Sequence, residues 1–323
     1  MKKTLVAVAA LAVAGGAFAQ SSVAISGKLG FAYQAFKSGT GAKQTGLRVT
    51  DGDFVLSATE DLGGGLKAGA SMAVQSRGRT TAVAGRDAYV FLSGGFGEVK
   101  IGAVDAQYQT LLDLAHPLYG IGLDSCNTKF NCGDAFVDML QYTTPSMSGF
   151  TASVMLADGN TAGTGAGTGG MESTAASRDS VQLGLAYSNG PLNAGFEYTS
   201  FGANASNAAL ASTANSSLGK SRYRLSGNYN LGVVTVGAGF ASEKYVAFTQ
   251  KEYALGVSAP LGPVTVGLNW VSAKSAGTTE SGWEAVANYE LSKRTAVQVA
   301  YMSEDANLAN RVTTFRTRLM HKF

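Results

Sequence analysis

The stretch Gly219-Lys220-Ser221-Arg222-Tyr223-Arg224-Leu225-Ser226-Gly227-Asn228-Tyr229-Asn230 decides the fold. Tyr223, Leu225, Tyr229 and the following Leu231 share one parity, while Lys220, Arg222, Arg224, Ser226 and Asn228 share the other. Successive side chains of a strand point to opposite faces, so this segment reads as a strand with one apolar face and one strongly polar face. Water lies on that second face. The end of the chain repeats the pattern, with Phe315, Leu319 and Phe323 on one parity and Arg316, Arg318 and Lys322 on the other.

Working outward, the same reading places strands at residues 23–36, 46–60, 66–77, 86–93, 97–104, 138–144, 149–157, 180–188, 192–201, 219–230, 232–243, 250–259, 262–273, 279–291, 293–304 and 311–323, about sixteen in all. Tight turns follow the even-numbered strands, at Asp61 to Gly65, Gly94 to Phe96, Pro145 to Ser148, Asn189 to Pro191, around Leu231, at Pro260 to Leu261 and around Ser292. Longer loops follow the odd-numbered strands, the extremes being 105–137 and the Gly/Thr/Ala-rich 158–179. Lipid offers no hydrogen bonds, so strands that span it must close into a barrel in which every backbone group is paired. The chain therefore reads as all-β, a transmembrane antiparallel β-barrel of about sixteen strands. The tight turns and both termini belong at the periplasmic rim, and the longer loops outside or folded inward. A barrel of that size leaves an aqueous channel. A soluble β-sandwich also alternates, but its polar face is the outer one.

Lys2 and Lys3, the apolar run Leu5 to Val13 and Ala17-Phe18-Ala19 read as a signal peptide over residues 1–19, leaving 20–323 as a single barrel domain. The apolar run is well short of the ~20 residues a helical span needs. Removal of Lys2 and Lys3 lowers the formal charge of +3 by two, a balance that does not point to nucleic acid. Mean hydropathy is only +0.07, as expected where alternate residues alone face lipid. Cys126 and Cys132 lie in one loop of an exported chain, where a disulfide is the favoured reading over a metal half-site or two free thiols. Gly165 to Gly170 matches a dinucleotide-binding pattern but sits in a low-complexity loop with no helix after it. His116 and His321 are the two histidines, and neither has catalytic or metal-ligand spacing, so no enzyme, metal or cofactor is expected. Tyr33, Phe36, Tyr187, Tyr198, Tyr229 and Tyr301 recur near strand ends, as interfacial aromatic girdles require.

Several blocks then occur in order: Glu60-Asp61-Leu62-Gly63-Gly64-Gly65-Leu66-Lys67-Ala68, Leu92-Ser93-Gly94-Gly95-Phe96-Gly97, and Tyr142-Thr143-Thr144-Pro145 with Gly149-Phe150. Asn288-Tyr289-Glu290-Leu291-Ser292-Lys293-Arg294-Thr295 and Leu319-Met320-His321-Lys322-Phe323 complete the series. On these the mature chain resembles the Gram-negative general diffusion porins, in particular those of β-proteobacteria. The resemblance implies a sixteen-stranded barrel, a homotrimer in the outer membrane among lipid and lipopolysaccharide, and a third outer loop folded into the pore. It also implies that Phe323 is the signal shown to the barrel insertion machinery. Where that family carries wall arginines on the second strand this chain has Asp53 and Ser57, and where its fifth strand reads Leu-Gly-Arg this chain has Ile101-Gly102-Ala103.

The third loop, 105–137, is the expected constriction. It carries Asp105, Asp113, Asp124 and Asp134 against Lys129. The opposing wall draws on Lys67, Arg77, Lys100, Arg222, Arg224, Arg316 and Arg318. Opposed charges across a narrow gap set up a transverse field that favours polar solutes and ions. With Asp53 and Ser57 replacing positive charge, the expected selectivity is weak and leans toward cations. The expected function is passive diffusion of ions and small hydrophilic solutes. A substrate-selective channel on the same barrel is the main alternative. An outer-membrane acyl hydrolase would need a Ser/His pair at one rim, and an adhesin or phage receptor would use loops 158–179 and 202–218.

Overall fold

A computed structural model of the chain describes residues 21–77, 84–105, 114–121, 136–157, 180–201, 219–307 and 310–323. The expected signal peptide lies outside the described residues, as do Asp113, Asp124, Cys126, Lys129, Cys132, Asp134 and the glycine-rich 165–170 run.

The strands are β1 (Ser22–Ser38), β2 (Gln44–Gly63), β3 (Leu66–Gln75), β4 (Ala84–Gly94), β5 (Gly97–Asp105), β6 (Phe136–Thr143), β7 (Phe150–Ala157) and β8 (Ser180–Asn189). They continue as β9 (Leu192–Ser200), β10 (Gly219–Asn230), β11 (Thr235–Tyr245), β12 (Thr249–Leu261), β13 (Val264–Ser275), β14 (Thr278–Glu290), β15 (Thr295–Asn307) and β16 (Asn310–Lys322). Each strand pairs antiparallel with its sequence neighbours, and β1 pairs with β16, closing a sixteen-stranded barrel without a free edge. The seam is completed by Phe323, whose backbone exchanges two hydrogen bonds of 3.1 Å with Gly27.

Burial shows which side of this barrel meets lipid. Ile25 is 69% exposed and Leu225 53%, whereas Arg224, next to Leu225, is 0% exposed. Exposed large apolar side chains such as these point outward around the barrel, while mid-strand charges such as Arg224, Glu252 and Glu284 are buried on the inward face, an arrangement that would be inverted in a soluble protein and is required in a bilayer.

β10 occupies the span that its alternation indicates. Three details differ from the sequence reading. The turn expected at Pro260 to Leu261 is made two residues later, by Gly262 and Pro263, and Pro260 continues β12 opposite Thr265. The contrast between short and long connections fails in the last third of the barrel. β13 and β14 are joined by Ala276 and Gly277 alone, and only residues 246–248 separate β11 from β12. Ala276 and Gly277 both take positive φ, 47° and 85°, the pairing that matches strand twist in a two-residue hairpin, so the strands run on through residues that read as loop. The third difference is a bulge. Gly30 pairs with Asp51 and Phe31 with Val49, leaving Thr50 as the extra residue and flipping parity along β2, so that Arg48 and Asp51 both face inward.

Candidate functional site in the barrel lumen

Residues 114–121, the described part of the third loop, lie against the inward faces of β10 to β15. Asn228 Nδ2 donates to the Leu114 carbonyl at 3.3 Å, Asn269 Nδ2 to the Leu118 carbonyl at 2.7 Å, and Gln298 Nε2 to the Tyr119 carbonyl at 3.1 Å. The Glu284 carboxylate accepts from the Gly120 N–H at 3.2 Å and from the Ile121 N–H. The loop's backbone groups are thus satisfied by inward amides and one carboxylate spaced along successive strands, as buried polar groups require.

Small residues on the wall make room for it. A Cβ at Gly237 would stand 2.5 Å from the Leu114 oxygen, one at Gly256 would stand 2.9 Å from Pro117 Cδ and collide with the Ala115 oxygen, and one at Gly267 would stand 3.0 Å from Leu118 Cβ. Ala115 is 0% exposed and joins a buried cluster with Ala254, Val271 and Met302. His116 is also buried, and that burial lowers its pKa to about 4, with the Trp270 backbone acting weakly in the other direction. The imidazole is neutral at physiological pH.

On the seam side, Lys28 reaches Asp51 at 2.9 Å and Asp53 at 3.4 Å, and Arg318 reaches Asp51 at 3.1 Å and Gln298 at 2.9 Å. Gln75 donates to Asp53 at 2.7 Å. Arg316 shares the inward parity of Arg318, and Ser57 is half-buried on the inward face of β2. This strip on β16, β1 and β2 is therefore a mixed array of both signs. Further round, inward polar side chains including Gln141, Thr143, Ser153 and Gln182 line a cavity of about 240 Å³ on β6 to β9.

The residues expected to form one basic wall do not gather in one place. Lys67 is exposed beside the tight turns, and Lys100 lies low on β5 with Glu98 at 3.5 Å and the Tyr89 ring 4.5 Å away. Arg77 stands beyond the end of β3, exposed. Asp105 closes β5 opposite Phe136. Arg222 and Arg224 point inward but not into water, contrary to the expectation drawn from β10. Glu197 lies 2.5 Å from Arg224 and 3.7 Å from Arg222, Glu243 lies 3.6 Å from Arg222, and the Phe201 ring covers Arg222. Acids from the two flanking strands neutralise both guanidiniums, which is what permits their burial. Sequence reasoning passed over these acids, and Glu284 with them, although each has the inward parity of its strand.

A family model of Gram-negative porins matches residues 5–308 of the chain. The chain belongs to the Gram-negative porin family. Porins of this kind reside in the outer membrane, and the inverted burial of this barrel agrees with that location. The outer membrane porin protein 32 of Delftia acidovorans is 34% identical over 217 residues, a match covering 60% of this chain and 58% of that protein's length. Among solved structures, the anion-selective porin from Comamonas acidovorans superposes with a TM-score of 0.71 at 22% identity, covering 94% of this porin and all of that chain. Salmonella typhi OmpF in complex with daunomycin gives 0.68 at 12% identity, covering 93% and 97% of the two chains. The trimer form of OmpT from Vibrio cholerae gives 0.64 at 12%, covering 94% and 99%. At these identities the structures speak for the fold.

Proposed function

We propose that this porin is a general diffusion channel through which ions and small hydrophilic solutes cross the outer membrane passively. The observation that carries the reading is the third-loop segment 114–121 laid along the inner wall, next to a strip of partly exposed charges that it adjoins through Gln298. A loop in that position narrows a sixteen-stranded barrel without filling it, and Asp105, Asp113, Asp124 and Asp134 add negative charge to the narrowed zone. Inward Asp51 and Asp53 offset the bases of the seam strip, and Arg222 and Arg224 are already paired, so selectivity is weak and leans toward cations. A signal peptide over 1–19 and a Cys126–Cys132 bridge within the loop belong to the same reading.

The assembly we propose is a homotrimer, meeting through the outward face of β3 to β5. Among the described residues of those strands no aromatic side chain has outward parity; the face is made of small and aliphatic residues such as Ala70, Met72, Val90 and Ile101. Outward aromatics elsewhere, Tyr198, Tyr223, Tyr253, Trp270 and Tyr301 among them, mark the surface that meets lipid. Phe323 at the seam serves as the recognition element for barrel insertion.

The test against a substrate-selective channel is liposome swelling with sugars of graded size, together with reversal potentials in a salt gradient. General diffusion predicts flux that falls smoothly with size and does not saturate, with a small reversal potential of cation sign. Saturable flux of one solute, or strong anion preference, would overturn it.

A further inference from the structure

On the inward face of β6 to β8, Gln141, Met155 and Gln182 form one row of direct cross-strand neighbours, and Thr143, Ser153 and Gly184 form the next. All six line the cavity of about 240 Å³. The inward amides of Asn228, Asn269 and Gln298 are engaged by carbonyls of the third loop. Among the described residues, the amides of Gln141 and Gln182 and the hydroxyls of Thr143 and Ser153 have no hydrogen-bonding partner, and each is half-buried, within reach of the lumen. This shelf is polar, open and unused by the fold.

Charge around the shelf is neutralised. Glu197, the carboxylate among the lining residues, lies 2.5 Å from Arg224 and accepts from the Thr199 hydroxyl at 3.0 Å. Lys100, the cross-strand neighbour of Gln141, turns to Glu98 at 3.5 Å and to the Tyr89 ring at 4.5 Å. An ion therefore gains no counter-charge here. Gln141 and Gln182 stand two strands apart, about 10 Å at ordinary strand spacing, with the apolar Met155 between them. Gly184 leaves a gap over which the Ser153 hydroxyl leans, since a Cβ there would collide with it. Each amide offers N–H donors and a carbonyl acceptor, and each hydroxyl both donates and accepts. A solute whose every polar group does both, carried on an apolar carbon frame, matches that set.

We infer that this shelf is a binding site for neutral polyhydroxylated solutes of monosaccharide size, held between the amides of Gln141 and Gln182, with Met155 against the C–H face of the ring and Thr143 and Ser153 taking further hydroxyls. The inference rests on the diffusion-channel reading, which brings such solutes past the wall. The third-loop segment 114–121 is seated on β10 to β15, so a solute on β6 to β8 stands beside the narrowing rather than in it, and flux past it does not saturate. An open site with a handful of hydrogen bonds gives an affinity on the order of millimolar. The shelf lengthens the residence of polyols in the lumen without making the channel selective for one of them.

The test uses the full-length protein in detergent, with saturation-transfer-difference NMR reading contact between porin and solute. D-glucose is compared with tetraethylene glycol, which has similar mass but mostly ether oxygens that only accept. The expected result is transfer to D-glucose at least fivefold above that to tetraethylene glycol. Transfer should fall at least fivefold in Gln141→Met/Gln182→Met, which keeps side-chain length and removes the donors and acceptors. It should fall as far in Ala186→Phe, which fills the cavity and keeps both amides. The unfolding temperature of each variant, unchanged because all three positions face the lumen, establishes folding. Equal transfer by wild type and the double variant, or equal transfer to the two probes, would overturn the inference. Uptake of D-glucose into liposomes separates the two readings. Uptake linear in concentration without NMR transfer defeats this shelf alone, whereas transfer with saturating uptake defeats the unselective channel alone.

Discussion

Replacing Glu284 with alanine should release the third loop from the wall. In the folded porin this carboxylate, fully buried, accepts the Gly120 and Ile121 N–H groups, and Asn269 Nδ2 stands 3.5 Å from it. Its removal leaves two backbone donors without their acceptor, and a buried unsatisfied polar group costs about 1–3 kcal/mol. Ile121 is partly accessible, so water can take up some of its loss, and we place the total cost near the lower end, about 2–4 kcal/mol. An energy of about 2 kcal/mol changes the ratio of seated to released loop roughly thirtyfold, since 1.4 kcal/mol is a factor of ten. The remaining anchors at Asn228, Asn269 and Gln298 keep the seated state dominant but not exclusive. Single-channel recording in a planar bilayer reads this as rapid flicker between conductance levels where wild type gives steady current. Glu284→Gln, which keeps one acceptor oxygen, should fall between the two. If Glu284→Ala shows the steady current and the conductance of wild type, the carboxylate is not the loop's anchor and the reasoning fails.

Other outcomes follow from the same contacts. Gly256→Ala places a methyl group against the Ala115 carbonyl and 2.9 Å from Pro117 Cδ, so the loop must move off the wall into the lumen, and conductance in the bilayer should drop while Gly46→Ala, with open space around it, leaves it unchanged. His116, with its pKa depressed to about 4 by burial, binds a proton more readily when the loop is released. Its contribution to seating is complete above the ordinary value of about 6.5 and is lost as pH falls toward 4, a total of about 3 kcal/mol. Current noise should therefore rise through that window, and His116→Gln should abolish the rise. Arg224→Ala leaves Glu197 buried with one of its two guanidinium partners, and breaking such a pair costs about 3–5 kcal/mol, seen as a lower unfolding temperature in detergent. Gly27→Ala would set a Cβ 2.7 Å from Phe323 Cζ, wedging the closing seam and separating Phe323 from Phe54, whose ring centres are 5.5 Å apart. The folded fraction recovered in refolding should fall.

The strands were legible because alternation runs along them: lipid demands Tyr223 and Leu225 on the outer face, which leaves Arg222 and Arg224 on the inner one, where Glu197 and Glu243 neutralise them. Turn chemistry was legible where glycine dominates, as in Gly63 to Gly65, and misleading at Pro260, whose missing N–H suggested an end to pairing that β12 does not observe. The bulge at Thr50 has no sequence signature, since its effect is a change of parity that either reading of Arg48 and Asp51 would accept. The acids on the wall could have been found. Glu197, Glu243 and Glu284 have inward parity, and a search for charges opposing an acidic loop looked only for bases. The loop's seat could not have been found from spacing, because Leu114 meets Asn228 and Gly120 meets Glu284 across more than a hundred residues of chain. Only the closed barrel brings them together.

The most direct test of the central claim is single-channel current from the purified porin in a planar bilayer bathed in KCl. The account predicts large ohmic openings that appear and close in groups of three, with weak preference for potassium over chloride when the salt is graded across the membrane. A folded barrel that inserts and passes no current would contradict it.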